Sequence, residues 1–269
     1  MSLRIQNNVE AFGAHRNLQM TSSNISKSME RLSSGYRINR GADDAAGLGI
    51  SEKMRGQIKG LAQAQRNIGD GVSMVQTAEA NLDEVHSMLQ RVRELAVQFK
   101  NGSLSDNDRN AIQTEVNQLA SEIERIGSSA EFNGIKVLNA AVTITFQVGA
   151  NDSDSVGVGT ISLGASISSA VFALTSAANT DLSEIDSAID AVSQQRSTFG
   201  AVQNRFEHLM NGLNIYHENL VASESRIRDV DMAEEMTTMT KYQILQQAGT
   251  SMLAQANQLP QSVLSLLRT

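Results

Sequence analysis

Apolar residues recur at spacings of three and four along most of the chain, a helical period that breaks at only a few places. The first run covers roughly Leu3 to Leu32. It puts Ile5, Val9, Phe12, Leu18, Ile25, Met29 and Leu32 on a narrow stripe, with Asn, Ser and Gln on the other faces. A longer run extends from about Ala45 to Phe99. Within it Leu61, Ile68, Val75, Leu82 and Leu89 lie seven apart, a heptad seam, and a helix of this length would measure roughly 80 Å. Lys100-Asn101-Gly102 stops that run, and Ser105-Asp106 supplies a cap for the next. There Ile112, Val116, Leu119, Ile123 and Ile126 share one face, until Gly127-Ser128-Ser129 closes it.

The pattern then shifts toward strands. Between Phe132 and Leu163, Ile135–Leu138, Val142–Val148 and Val156–Leu163 are rich in β-branched residues. Asn133-Gly134 and Gly149-Ala150-Asn151 mark the turns. The Ala- and Ser-rich tract of residues 164–180 carries weak periodicity. Helical spacing resumes near Asp181 and holds through Ile227. After Arg228-Asp229-Val230-Asp231 a last run carries Met232, Met236, Met239, Leu245, Met252, Ala256, Leu259, Val263 and Leu266, with Pro260 predicting a kink or early fray.

The most informative break is the stretch Arg31 to Met54. Gly35, Gly41, Gly47 and Gly49 exclude one continuous helix; Ser33-Ser34-Gly35 reads as a stop, and Asp43 and Asp44 as N-caps of a helix beginning near Ala45. No phosphate-loop spacing occurs here, and capping accounts for the two aspartates better than a cation does. Arg37, Arg40, Asp43 and Asp44 are expected to pair across neighbouring copies, with Gly35 and Gly41 giving a bend.

The chain is thus nearly symmetric: thin arm, break, long heptad helix, small middle, long helix, thin arm. The predicted fold class is mainly α, a long antiparallel helical bundle or coiled coil with a small β-hairpin element. Neither long helix can bury its stripe alone, so the two should pair antiparallel and bring both termini to one end. Residues 1–44 with 229–269 form the terminal arms, with the break near 33–44; residues 45–228 form a rod with the β element at about 132–163. The arms carry opposite charge, six Lys/Arg against four Asp/Glu in residues 1–45 and two against four in 229–269. Such surface attraction is weak.

Composition sharpens this picture. One proline, no tryptophan, seven phenylalanines and three tyrosines suit long helices packed on small side chains. A net charge of −7 argues against nucleic acid, and the absence of cysteine excludes disulfides and thiolate sites. His15, His86, His208 and His217 show no metal spacing, no nucleophile elbow occurs, and Glu122/Glu124 and Glu234/Glu235 read as solvated faces. Neither enzyme chemistry nor a cofactor is implied. The N-terminus lacks the apolar run of a signal peptide, and no stretch reaches membrane-span length. The methionines Met232, Met236, Met239 and Met252 read as core, and in so thin a helix that core must be intermolecular.

Several stretches resemble bacterial flagellin. MERLSSGYRINRGADDAAGLGISEKMRGQIKGL (Met29 to Leu61), NIGDGVSMVQTAEANLDEVHSMLQRVRELAVQ (Asn67 to Gln98) and EFNGIKVL (Glu131 to Leu138) look like its N-terminal half. GAVQNRFEHLMNGL (Gly200 to Leu213), ASESRIRDVDMAEEM (Ala222 to Met236) and MLAQANQLPQSVLSLLR (Met252 to Arg268) look like its C-terminal half. Residues 140–180 leave no room for variable outer domains, so the likeness is to a minimal flagellin. The resemblance implies a filament subunit exported unfolded by the flagellar type III apparatus and located in the extracellular filament. Its arms would pair as an inner tube, its long helices would form an outer tube, and residues 33–44 would be the spoke between them. It implies self-association into a helical polymer, an export chaperone bound through the C-terminal arm, and contacts with filament-cap and hook–filament junction proteins. It also implies a Toll-like receptor five recognition patch at Gln90, Arg91, Leu95, Gln98 and Glu115; the same residues can instead line subunit contacts. A hook–filament junction protein and a stand-alone helical receptor-binding module are the competing readings.

Overall fold

A computed structural model describes residues 8–163, 172, 174 and 181–267; of Asp181 and of residues 259–267 it describes the backbone alone. The expectations for Ile5 and for the tract 164–180 therefore fall outside the described residues, apart from Phe172 and Leu174. So do those for the side chains of Leu259, Val263 and Leu266.

The described residues contain five helices: α1 (Val9–Ser34), α2 (Ala45–Phe99), α3 (Asp106–Ser129), α4 (Asp181–Arg228) and α5 (Met232–Leu267). Four short strands lie between α3 and α4: β1 (Glu131–Phe132), β2 (Ile135–Lys136), β3 (Thr143–Gln147) and β4 (Ser155–Gly159). The predicted helix ends stand where local chemistry put them. Asn8 caps α1 by accepting the Ala11 amide at 3.1 Å, and Gly35 ends it in the left-handed conformation (φ +76°). Asp44 Oδ1 accepts the Gly47 amide at 2.9 Å at the start of α2, and Ser105 with Asp108 forms a capping box on α3. No fray follows Pro260: the helix continues to Leu267.

The fold is mainly α with small β elements, as the periodicity predicts. The β region differs in detail. A second hairpin, β1–β2, turns tightly at Asn133-Gly134, both with positive φ, and β3–β4 pair antiparallel from Thr143↔Gly159 to Gln147↔Ser155. The strand predicted over 135–138 is therefore only two residues of a hairpin; Val137 still donates to the Ala130 carbonyl at 3.1 Å, and Val137 and Leu138 then enter the core. β4 stops at Gly159, beyond which Thr160 bonds back to Ala140 and Val142 through its hydroxyl and amide.

The chain divides into two compact units. The first runs up to Gly56 and from Asn219 onward; the second is Gln57–Glu218. In the second unit α2 and α4 run antiparallel, marked along their length by Gln65–Asn214 (2.8 Å), Asp83–Arg196 (2.9 Å) and Arg93–Asp186 (2.6 Å). Every heptad residue from Leu61 to Leu89 is buried. The core adds Val116 and Ile123 from α3, Val156 and Val158 from β4, and Ile185, Val192, Phe199 and Phe206 from α4. Gly71 fits a tight spot here: a Cβ at that position would sit 3.0 Å from the Phe206 ring, which Phe146 of β3 meets edge-on at 5.8 Å.

In the first unit α1 and α5 pack along one another, also antiparallel. Asn8 meets Ala256, Leu18 faces Gly249 and Arg31 meets Glu235 at 3.4 Å. Burial is sparse: among the described residues of this unit, the buried apolar side chains are Ile38 and Ala256.

Candidate functional site

Three surfaces carry the predicted functional residues. The first is the apolar stripe of the paired arms. Leu18, Ile25 and Leu32 are half-buried in the α1–α5 pair, whereas Val9, Phe12 and Met29 face outward, Phe12 with 70% of its surface accessible. On α5, Met232, Met236, Ile244, Leu245 and Met252 are likewise exposed, and Ala256 is buried. A helix pair buries the seam between its members and leaves each helix's other apolar positions uncovered. Isolated exposed apolar residues are ordinary, but a row of them along two adjacent helices marks an interaction face.

The second surface is the break between α1 and α2. The sequence suggests charges free to pair between copies; the structure pairs them within the chain. Lys27 reaches Asp43 at 2.7 Å and Arg40 reaches Glu30 at 3.0 Å. Asp43 also accepts the amides of Asn39 and Arg40. The Lys27 ammonium holds the Asp43 carboxyl below the usual carboxylate range, with help from those amides and against the desolvation that opposes it. Arg37 donates from its side chain to the Ile227 carbonyl at 2.6 Å, at the C-terminal end of α4, where a cation also meets the negative end of the helix dipole. A loop folded back on its own helix ends brings these charges to intrachain partners.

Sequence reasoning missed what holds this loop. Tyr36 and Asp229 form an isolated antiparallel bridge, with Arg37 N–H donating to the Arg228 carbonyl at 2.6 Å and Val230 N–H to the Gly35 carbonyl at 3.0 Å. The Arg228 guanidinium lies over the Tyr36 ring, 4.8 Å from its centroid, and binds Glu52 at 2.6 Å. Arg228 lowers the Glu52 pKa. The break is thus a latch between two helix junctions. The scarcity of aromatic residues was the usable signal, since Tyr36 stands directly after the helix-stopping Gly35. Glycine is favoured at Gly35 by its positive φ, and at Gly47, where a Cβ would approach Ile38 Cδ1 to 2.9 Å and force that side chain to shift.

The third surface lies on α2 and α3. Arg91 makes a forked contact to Glu115 Oε1 (3.0 and 2.9 Å) and reaches Glu94 at 3.2 Å; Glu115, then Glu94, raise its pKa. Gln90 bonds His86 at 2.9 Å, and Gln98 is exposed nearby. Leu95 does not join them at the surface: it is 2% exposed and belongs to the core beneath. Periodicity could have told this, because Leu95 lies three residues after the buried Val92 and four before Phe99.

Among the described residues no group of three His, Asp or Glu could hold a metal, and no helix is long and apolar enough to cross a membrane.

Two family descriptions match the chain, the bacterial flagellin N-terminal helical region over residues 5–143 and the bacterial flagellin C-terminal helical region over residues 182–267. A flagellin of Halalkalibacterium halodurans is 51% identical over 98% of this chain and 99% of its own length. One from Bacillus subtilis is 45% identical over 99% and 100%. A flagellar filament 33 kDa core protein of Treponema phagedenis is 47% identical over 98% and 99%. The crystal structure of Bacillus cereus flagellin superposes with a TM-score of 0.51 at 28% identity, covering 55% of this chain and 88% of that one.

Proposed function

The chain belongs to the bacterial flagellin family and is a structural, non-enzymatic subunit that polymerises into the flagellar filament; from that premise we propose how its parts divide the work. Residues 1–44 and 229–269 act as the polymerisation arms, forming an inner layer of the filament, and residues 45–228 act as the outer rod. The observation that carries this reading is the row of exposed apolar side chains along α1 and α5, from Val9 and Phe12 to Ile244 and Met252. Burying them against further copies supplies the free energy that a single pair of arms lacks. A thin stripe offsets little of the roughly 1–2 kcal/mol of ordering entropy per residue. Ordering of the arms therefore accompanies assembly.

Ile5, Val9, Phe12, Leu18, Ile25, Met29 and Leu32, with Met252, Ala256, Leu259, Val263 and Leu266, are the assembly residues in this reading. The spoke of Gly35, Arg37, Arg40, Gly41, Asp43 and Asp44 sets the angle at which each arm leaves the rod. An arm that is unordered before assembly suits secretion in an unfolded state by the flagellar type III route. It also suits capture of the C-terminal arm by an export chaperone, followed by contact with cap and junction proteins. The surface of Gln90, Arg91, Gln98 and Glu115, resting on Leu95, is a recognition patch for Toll-like receptor five.

Deleting residues 259–269 tests the assignment of the arms. The truncated protein should keep the far-ultraviolet signal and cooperative unfolding of the rod yet form no filaments by electron microscopy. Filaments from the truncated protein would overturn it. For the patch, Arg91→Ala and Glu115→Ala should each reduce receptor activation by soluble protein, and unchanged activation would reject it.

A further inference from the structure

In an α-helix the carbonyl of residue 256 accepts the amide of residue 260. Residue 260 is the chain's single proline, and proline has no N–H, yet α5 runs on to Leu267. The Ala256 oxygen is therefore without its helical donor at a residue only 8% exposed, where an unpaired carbonyl is unfavourable. Asn8 fills the place: its Nδ2 donates to the Ala256 carbonyl at 2.7 Å. Its Oδ1 meanwhile accepts the Ala11 amide at 3.1 Å and caps α1. One side-chain amide thus serves both helices, its oxygen facing a donor and its nitrogen facing an acceptor. Aspartate, an equally good cap, has no donor for the second role.

We infer that Asn8 and Pro260 are a matched pair that fixes the register in which the two arms associate, with Asn8 a positioning residue for assembly. The inference rests on the assignment of α1 and α5 as assembly arms. Register needs such a device here because the seam is built from Leu, Ile, Ala and Met, side chains that repack readily after a shift of one turn. Shifting by a turn would set Asn8 against the carbonyl of Met252 or of Pro260. The first already accepts the Ala256 amide and the second the amide of residue 264, so of the three only the proline-vacated carbonyl lacks a helical donor. A buried asparagine sets the register of coiled coils by the same logic.

The test uses the full-length chain, whose lack of cysteine permits clean thiol mapping. Cysteine is placed at Leu18 and at Gly249, which face each other, or at Leu18 and either Leu245 or Leu253, one turn away. A short thiol-specific cross-linker then reports register, and sedimentation reports the concentration needed for filaments. Asn8→Asp keeps the cap and removes the bridge. It should raise the assembling concentration about three- to tenfold and spread cross-links to positions 245 and 253. Pro260→Ala refills the helical bond, so it should assemble near the wild-type concentration while cross-linking out of register. Adding Asn8→Asp to Pro260→Ala should then cost little. Cross-links confined to position 249 in both single variants, or an equal Asn8→Asp penalty with and without Pro260, would overturn the inference. Failure of the wild-type chain itself to sediment would count against the arm assignment instead, and cross-linking of the soluble chain would still score the register.

Discussion

The α2–α4 pair and the α1–α5 pair are built on the same three-and-four spacing, and they reach different states of burial. Along α2 the heptad residues from Leu61 through Leu89 are buried, whereas α1 leaves Val9, Phe12, Met20 and Met29 outside. Period does not distinguish the two; the number of neighbours does. In the second unit α3, the β3–β4 hairpin and the loop at Val137 and Leu138 cover what the two long helices leave open. Among the described residues no third helix or strand packs on the arms. An apolar stripe is thus a demand for cover, which the chain meets internally in one unit and which the proposed function assigns to other copies in the other.

Substitutions should separate the two kinds of stripe. The largest effect is expected from Phe206→Ala or Leu82→Ala, each losing about 2–5 kcal/mol of rod stability by opening a cavity in a sealed core. Chemical denaturation of the monomer measures it, and filaments should fail with it. Phe12→Ala should leave monomer unfolding unchanged within about 0.5 kcal/mol, as for an exposed site. The same substitution should raise the concentration needed for assembly about tenfold or more, since an apolar side chain of this size gains about 1.5–3 kcal/mol on full burial. Next comes the latch: Arg228→Ala removes the Glu52 bond and the stacking on Tyr36, a loss smaller than that of a core cavity. The altered helical twist or curvature of its filaments should be visible by electron microscopy. Gly35→Ala, forced into positive φ, should cost about 1 kcal/mol with a similar change in filament shape.

The smallest expected effect is on pH dependence. Lys27 lowers the Asp43 pKa, Arg228 that of Glu52, and Arg93 that of Asp186. A carboxyl depressed in the folded state contributes stability that is fully present above its unfolded pKa and is lost as pH falls through the folded value. The loss therefore lies below about pH 4. Melting temperature followed from pH 5 to pH 3 should fall, and less steeply in Asp43→Asn than in the wild type.

Much of this fold is legible in the sequence because its signals are local. Gly35, Asp44 and Ser105 act on amides within a few residues of themselves, and the heptad from Leu61 to Leu89 declares its own buried face. What was not legible depends on distant partners. The intrachain partners of Arg37, Arg40 and Asp43, namely Ile227, Glu30 and Lys27, appear only once the loop folds back. Leu95 resembles part of a surface motif, yet the helical phase set by Val92 and Phe99 turns it inward. Two-residue strands such as β1 have no period to detect. Pro260 reads as a helix breaker, because the donor to the carbonyl it vacates is an asparagine 252 positions earlier in the chain.

The central claim, that the arms gain their order from assembly while the rod has its own, is tested most directly by amide hydrogen exchange on the same protein as monomer and as filament. Amides of residues 12–34 and 235–258 should exchange rapidly in the monomer and slow by orders of magnitude in the filament, while those of residues 61–96 and 185–213 are protected in both. Strong protection of the arms in the monomer, equal to that of the rod, would contradict it.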